Sequence, residues 1–139
     1  MRLVDASVFV HAFLKPKRTL KRHEIRIKEK AKEIVRRINA GEEVGITVVQ
    51  LAEVANILEA YLPLADALKV EEFLILAPNV KLFGITERDC IEALRVAQEA
   101  EVGLSDALAY VVMRRVGVEE IYSFDRDFDR LEGVKRVTD

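Results

Sequence analysis

Arg2-Leu3-Val4-Asp5-Ala6-Ser7-Val8-Phe9-Val10-His11-Ala12-Phe13-Leu14 is the stretch on which the fold reading turns. Arg2 to Asp5 reads as a short buried strand, and Ala6 to Leu14 as an apolar helix. The helix has to stop before Lys15-Pro16-Lys17, because a proline disfavours helical backbone in the residue preceding it. The unit is therefore strand, turn, helix, with an acid where the strand ends.

Working outward, the same alternation recurs along the chain. From Lys21 to Ala40 the apolar positions Ile27, Ala31, Ile34, Val35 and Ile38 follow helical spacing, and Gly41 is placed to end the helix. Val44 to Ile46 reads as a second strand, and Thr47 with Gln50 as a capping box for a helix reaching Tyr61. Pro63 opens another helix that ends near Pro78. Val80 to Ile85 reads as a third strand, and Thr86 as the N-cap of an amphipathic helix carrying Ile91, Leu94, Ala97 and Ala100. Gly103 breaks that helix, and Ser105 is the expected cap of an apolar helix from Asp106 to Val116. Glu120 to Phe124 is a fourth strand, with Lys135 to Thr138 the candidate for a fifth. Short strands alternating with helices imply an α/β fold, a three-layer α/β/α sandwich around a short-stranded parallel sheet. Residues 1–139 show no internal repeat, linker or low-complexity segment, so one domain is expected.

At 139 residues, the chain is long enough to bury roughly two-thirds of its unfolded surface without staples. No apolar run approaches the roughly 18 residues of a membrane span, and Asp5 interrupts the first apolar stretch too early for a signal-peptide core. The expectation is a cytoplasmic protein. The single cysteine, Cys90, excludes an intrachain disulfide and a thiolate metal cluster. The net charge of −2 hides a segregation, since residues 15–37 hold 11 of the 22 Lys and Arg. A basic stripe beside an acidic remainder suggests a surface for polyanions next to a site that collects cations, although a solvated helix face accounts for the stripe equally well.

In an open parallel sheet, chemistry sits at the carboxyl ends of the strands. Asp5 and Asp125 stand at two such ends. Asp106 lies in the first turn of an apolar helix, and Glu53 about two turns into the helix after the second strand. If the crossovers are right-handed, all four acids converge on one edge. Carboxylates brought together repel unless a cation lies between them, and ligation by oxygen alone selects a hard ion, Mg²⁺ or Mn²⁺. The chemistry such a cluster supports is hydrolysis of a phosphodiester bond. Taken singly, each acid also has a bland reading: Asp5 as a helix cap, Asp106 as a complement to the helix dipole, Glu53 as a surface acid, Asp125 as a turn residue.

Four segments together, Val4-Asp5-Ala6-Ser7, Gln50-Leu51-Ala52-Glu53-Val54, Leu104-Ser105-Asp106-Ala107 and Ser123-Phe124-Asp125-Arg126-Asp127-Phe128, resemble the PIN-domain family, and especially its VapC-type toxins. The resemblance spans essentially the whole chain. It implies a parallel sheet sandwiched by helices, dependence on Mg²⁺ or Mn²⁺, endonucleolytic cleavage of RNA, a homodimer, and inhibition by a small antitoxin protein. It carries the metal-site role onto Asp5, Glu53, Asp106 and Asp125. It also matches Ser7 and Ser123 to hydroxyl positions able to bond a ligand, and Asp127 and Asp129 to an acidic neighbourhood.

No Gly-rich G-x-G-x-x-G turn and no Walker A sequence is present, which removes dinucleotide-binding and P-loop readings. His11 and His23 are read as surface residues, and Tyr61, Tyr110 and Tyr122 as packing residues rather than a base-stacking platform. Lys15, Lys17, Arg18, Lys21 and Arg22 are the candidates for holding an RNA backbone. The helices Val48 to Leu62 and Asp106 to Val116 are expected to leave apolar surface for a second copy. The rivals left open are a PIN-fold protein that binds RNA or a partner without cutting, and an RNA-processing nuclease outside a toxin–antitoxin pair.

Overall fold

The computed structural model describes residues Met1–Asp139. Strands β1 (Arg2–Val4), β2 (Val44–Thr47), β3 (Val80–Phe83), β4 (Glu120–Tyr122) and β5 (Lys135–Val137) form one sheet in the order β3-β2-β1-β4-β5. Every pairing is parallel. Helices α1 (Ala6–Phe13) and α2 (Arg22–Asn39) connect β1 to β2. Helices α3 (Val48–Tyr61) and α4 (Leu64–Leu76) connect β2 to β3, and α5 (Glu87–Ala100) and α6 (Leu104–Val116) connect β3 to β4. This is the three-layer α/β/α architecture expected from the alternating pattern.

Alternation along the strands divides the core in two. Val4, Val44, Ile46 and Tyr122 face a cluster built with Val8 and Phe9 of α1, Ile34 and Ile38 of α2, and Val54 and Leu58 of α3. Leu3 and Ile121, one residue out of phase, face the other cluster with Ala93 of α5 and Ala107, Leu108, Val111 and Val112 of α6. Successive side chains of a strand point to opposite faces, so two apolar neighbours demand helices on both sides. Gly45 lies between the sheet and this second layer, where a Cβ would stand 2.5 Å from Cε2 of Phe83. The absence of a side chain there lets Phe83 cover the strand.

Several local expectations change in three dimensions. The Thr47 hydroxyl accepts the Gln50 N–H at 3.0 Å, but Gln50 does not reach back to complete a capping box. Its side chain turns across the layer, and its Oε1 accepts the Ala6 N–H at 2.8 Å, satisfying an N–H that the start of α1 leaves without a helical partner. The N-cap of α6 is Gly103, and Ser105 is already inside the helix. Residues Ala107 to Met113 are all buried, because α6 is enclosed between the sheet and α5. The middle of α6 is thus consumed inside the chain, while Leu104 and Val116 at its ends stay exposed, and further exposed apolar residues lie on α4 (Leu64, Leu68, Ile75, Leu76) and α5 (Ile91, Leu94). Tyr110 and Tyr122 pack as expected, but Tyr61 is 68% exposed at the end of α3. A short 3₁₀ helix, η1 (Arg126–Arg130), follows β4, where no element was foreseen. No helix is long and apolar enough to cross a membrane.

Candidate functional site

The strand order reverses direction once. The chain builds β1, β2 and β3 outward on one side, then returns to add β4 and β5 on the other side of β1. A crevice opens between the carboxyl ends of β1 and β4, where no crossover covers the sheet, and this is where open α/β sheets bind ligands. Asp5 follows β1 and Ser123 follows β4, and the Asp5 N–H bonds the Tyr122 carbonyl at 2.9 Å to hold the two ends together.

The acids converge there. Carboxylate oxygens of Asp106, Asp125 and Asp127 lie within 4.8 Å of one another. Asp5 is 4% exposed at the N-cap position of α1, yet its carboxylate makes no cap bond. It accepts instead from the Ser123 hydroxyl at 2.8 Å. Burial pushes the Asp5 carboxyl above its ordinary value, opposed by the nearby polar groups of Ser7 and Ser123, with Asp125 adding repulsion. Glu53, half-buried on α3, is raised by burial, opposed by the nearby Ser105 hydroxyl, and feels the charges of Asp5 and Asp125. Asp106, 8% exposed in the first turn of α6, is the most perturbed. Burial first, then the charges of Asp5, Asp125, Glu53 and Asp127, push it up to about 7.

Ser123 does not project free into the crevice. Its single proton goes to Asp5, and its oxygen accepts the Asp125 N–H at 3.0 Å, so one hydroxyl spaces two acids. The Ser7 oxygen accepts the Phe124 N–H at 3.1 Å and lies 3.4 Å from the Ser123 oxygen. Asp125 in turn accepts the Asp127 N–H at 2.9 Å, which turns Asp127 inward at the start of η1. That turn brings Asp127 into the tightest group, a membership that sequence pattern alone underrated. Asp129 faces away and pairs with Arg136 at 3.0 Å, while Arg136 also donates to the Ser123 carbonyl at 3.3 Å. The sequence reading missed Gln50. Its only signal was a polar residue at a position that proves 2% exposed.

The donor set fits a hard divalent cation. It is all carboxylate oxygen, gathered with Asp5 and Glu53 from four separate segments, and its members destabilise one another's charge, which a cation would reverse. Asp106, Asp125 and Asp127 would hold the ion, with Asp5 and Glu53 beside them.

The comparisons with known proteins agree with this geometry. A family model described as the PIN domain matches residues 2–134. The chain belongs to the PIN-domain family. Proteins of this family are generally nucleases, which sets the coarse class of this PIN domain as a hydrolase. A search of curated proteins gave no match. Among solved structures, the PIN domain is similar to VapC20 of Mycobacterium tuberculosis, described as a sarcin-ricin loop cleaving toxin, with a TM-score of 0.71, 22% identity and 93% of each chain covered. A toxin–antitoxin complex from Klebsiella pneumoniae gives a TM-score of 0.66 at 15% identity, covering 97% of this chain and 96% of that one. A structure from Pyrobaculum aerophilum, PAE2754, gives 0.57 at 22% identity, with 98% and 88% covered. At these identities the likeness is one of fold.

The basic candidates lie beyond α1. Lys15, Lys17 and Arg18 border a groove of about 760 Å³ whose walls also include His11, Lys28 and Tyr61. Arg18 is engaged by Glu24 through two bonds of 3.1 and 2.6 Å, so part of its charge is already matched. Lys21 and Arg22 sit at the start of α2, outside the groove lining.

Proposed function

We propose that the chain is a divalent-metal-dependent endoribonuclease, the toxin of a VapBC-type toxin–antitoxin pair, acting in the cytoplasm as a homodimer. The observation that carries the reading is the crowding of Asp106, Asp125 and Asp127 within 4.8 Å at the switch point, with Asp5 and Glu53 alongside. A stable fold has no use for so much mutual repulsion unless a cation offsets it. When bound, Mg²⁺ or Mn²⁺ would supply an activated water and neutralise charge on the phosphodiester during in-line displacement.

The protein's own groups prepare that chemistry. Ser123 fixes the spacing of Asp5 and Asp125, and Ser7 holds the backbone of Phe124, so the carboxylates meet a ligand without reorganising. Asp106, whose carboxyl burial and its acidic neighbours push up to about 7, would give up its proton to serve as a ligand. Lys15, Lys17, Arg18, Lys21 and Arg22 provide the separate positive surface that an acidic site needs to bring a phosphate backbone near. The solved toxin and toxin–antitoxin neighbours support an antitoxin partner.

The test is cleavage of a mixed RNA pool with and without Mn²⁺ or Mg²⁺. Asp5→Asn and Asp106→Asn should each lower the rate at least about a hundredfold, the scale of losing one electrostatic element of a catalytic site. Cleavage without metal, or either variant at the parent rate, would defeat the assignment.

A further inference from the structure

The basic groove and the acidic crevice are not separate features of the surface. His11, on the exposed side of α1, lines the groove. Its ring also meets that of Phe124 edge to face, with centroids 5.6 Å apart and an interplanar angle of 80°. Phe124 stands in the chain between Ser123 and Asp125, two residues that build the site. The imidazole is close enough to Asp5 to feel its charge. Packing on one side and the nearby Lys28 ammonium outweigh that charge and hold the imidazole below its ordinary value, which favours the uncharged ring. Tyr61, on the following helix pair, also lines the groove with a largely exposed phenol ring, next in the chain to Leu62 and Pro63.

The same groove carries Lys15, Lys17 and Lys28. Lys28 is anchored, donating to the carbonyls of His11 and Leu14 at 3.0 and 2.6 Å. No ion pair engages Lys15 or Lys17. A positive groove with exposed aromatic rings at intervals is the arrangement by which proteins hold single-stranded nucleic acid, since every base offers a π-face and every linkage a negative charge. A purely solubilising basic stripe requires no exposed aromatics, and a purely apolar docking groove requires no free lysines.

We infer that this groove is a binding track for single-stranded RNA leading into the acidic crevice, with His11, backed by Phe124, stacking the base next to the scissile phosphate and Tyr61 stacking a base further along. The inference rests on the nuclease reading above and adds the residues that recognise unpaired bases. The substrate it selects is single-stranded, because a base held in a duplex offers no free face to either ring.

The probe is a short single-stranded RNA carrying 2-aminopurine, whose fluorescence is quenched on stacking, bound in Ca²⁺. The parent should quench the probe. His11→Ala and Tyr61→Ala should each weaken binding by roughly tenfold, the order of one lost base–aromatic stack. Both side chains are exposed, so the fold should survive either change, and His11→Phe should restore quenching because it restores a ring. An abasic oligonucleotide of the same length should bind the parent and both alanine variants alike. In Mn²⁺, the loss should appear in KM more than in kcat. If the parent neither binds nor cuts RNA, this inference falls together with the nuclease reading. If the parent cuts RNA while the alanine variants bind the base-bearing probe as tightly as the parent does, only the track is overturned, and the groove is then left to a peptide partner.

Discussion

Replacing Asp106 by Asn should stabilise the metal-free protein at alkaline pH and leave it unchanged in acid. The Asp106 carboxyl is raised from an ordinary value of 3.8 to about 7 by burial and four neighbouring acids. A folded-state value above the unfolded one means that the native state holds the proton more tightly. The stability this confers is fully present below about 3.8, is lost as pH rises, and is gone above about 7. At about 1.4 kcal/mol for each tenfold change in proton affinity, the ceiling is about 4 kcal/mol. The crevice opens to water, and screening there reduces the usable amount to about 1–2 kcal/mol. Asn cannot ionise, so Asp106→Asn should match the parent near pH 4 and exceed it near pH 8. For a chain of this length that difference corresponds to roughly 3–8 °C in Tm. Asp5 and Glu53 are also raised by burial, so the variant's pH profile should be flatter rather than flat. Mn²⁺ should reverse the order. A ligand at a hundred times its Kd adds about 2.7 kcal/mol to a protein that binds it, and the variant should gain much less. The measurement is thermal unfolding from pH 4 to pH 8 in EDTA and again in Mn²⁺. Parallel profiles for parent and variant in EDTA would refute the crowding argument, and equal stabilisation by Mn²⁺ would remove Asp106 from the ligand set.

Gln50→Leu should destabilise the fold by about 1–3 kcal/mol, because the buried Ala6 N–H loses its acceptor; a denaturant midpoint equal to the parent's would contradict that bond. Changing Lys17, Arg18 and Lys21 together to Glu should weaken RNA binding and flatten its salt dependence. With Arg18 already held by Glu24, two free lysines at roughly 0.7 each predict a slope reduced by about 1.4. Titrations of RNA affinity against salt in Ca²⁺ read this directly, and an unchanged slope would free the segment for another role. Light scattering at micromolar concentration should give twice the chain mass, the exposed apolar residues of α4 and α5 being the surface available to a second copy; a monomer mass would end the dimer proposal.

The sequence by itself determined the layers and four of the acids. Apolar runs of strand length separated by helical periodicity leave few alternatives to a covered parallel sheet, and Asp5 and Asp125 are placed at strand ends by chain order alone. Periodicity, however, reports which face of an element is apolar and not what lies against it. For that reason α6 read as a helix with apolar surface to spare along its length, when α5 and the sheet enclose Ala107 to Met113 and leave Leu104 and Val116 exposed at its ends. For the same reason Gln50 read as half of a local capping box, when its acceptor serves a residue 44 positions earlier in the chain. Only the tertiary structure decided the strand order, and with it the crevice between β1 and β4. Only the turn into η1 brought Asp127 beside Asp106 and Asp125. The proximity of His11 to Phe124 across 113 residues has no local signature, because it depends on β1 and β4 being neighbours in the sheet. Local chemistry fixes the elements, whereas distances between carboxylates, rings and lysines arise from how those elements are stacked.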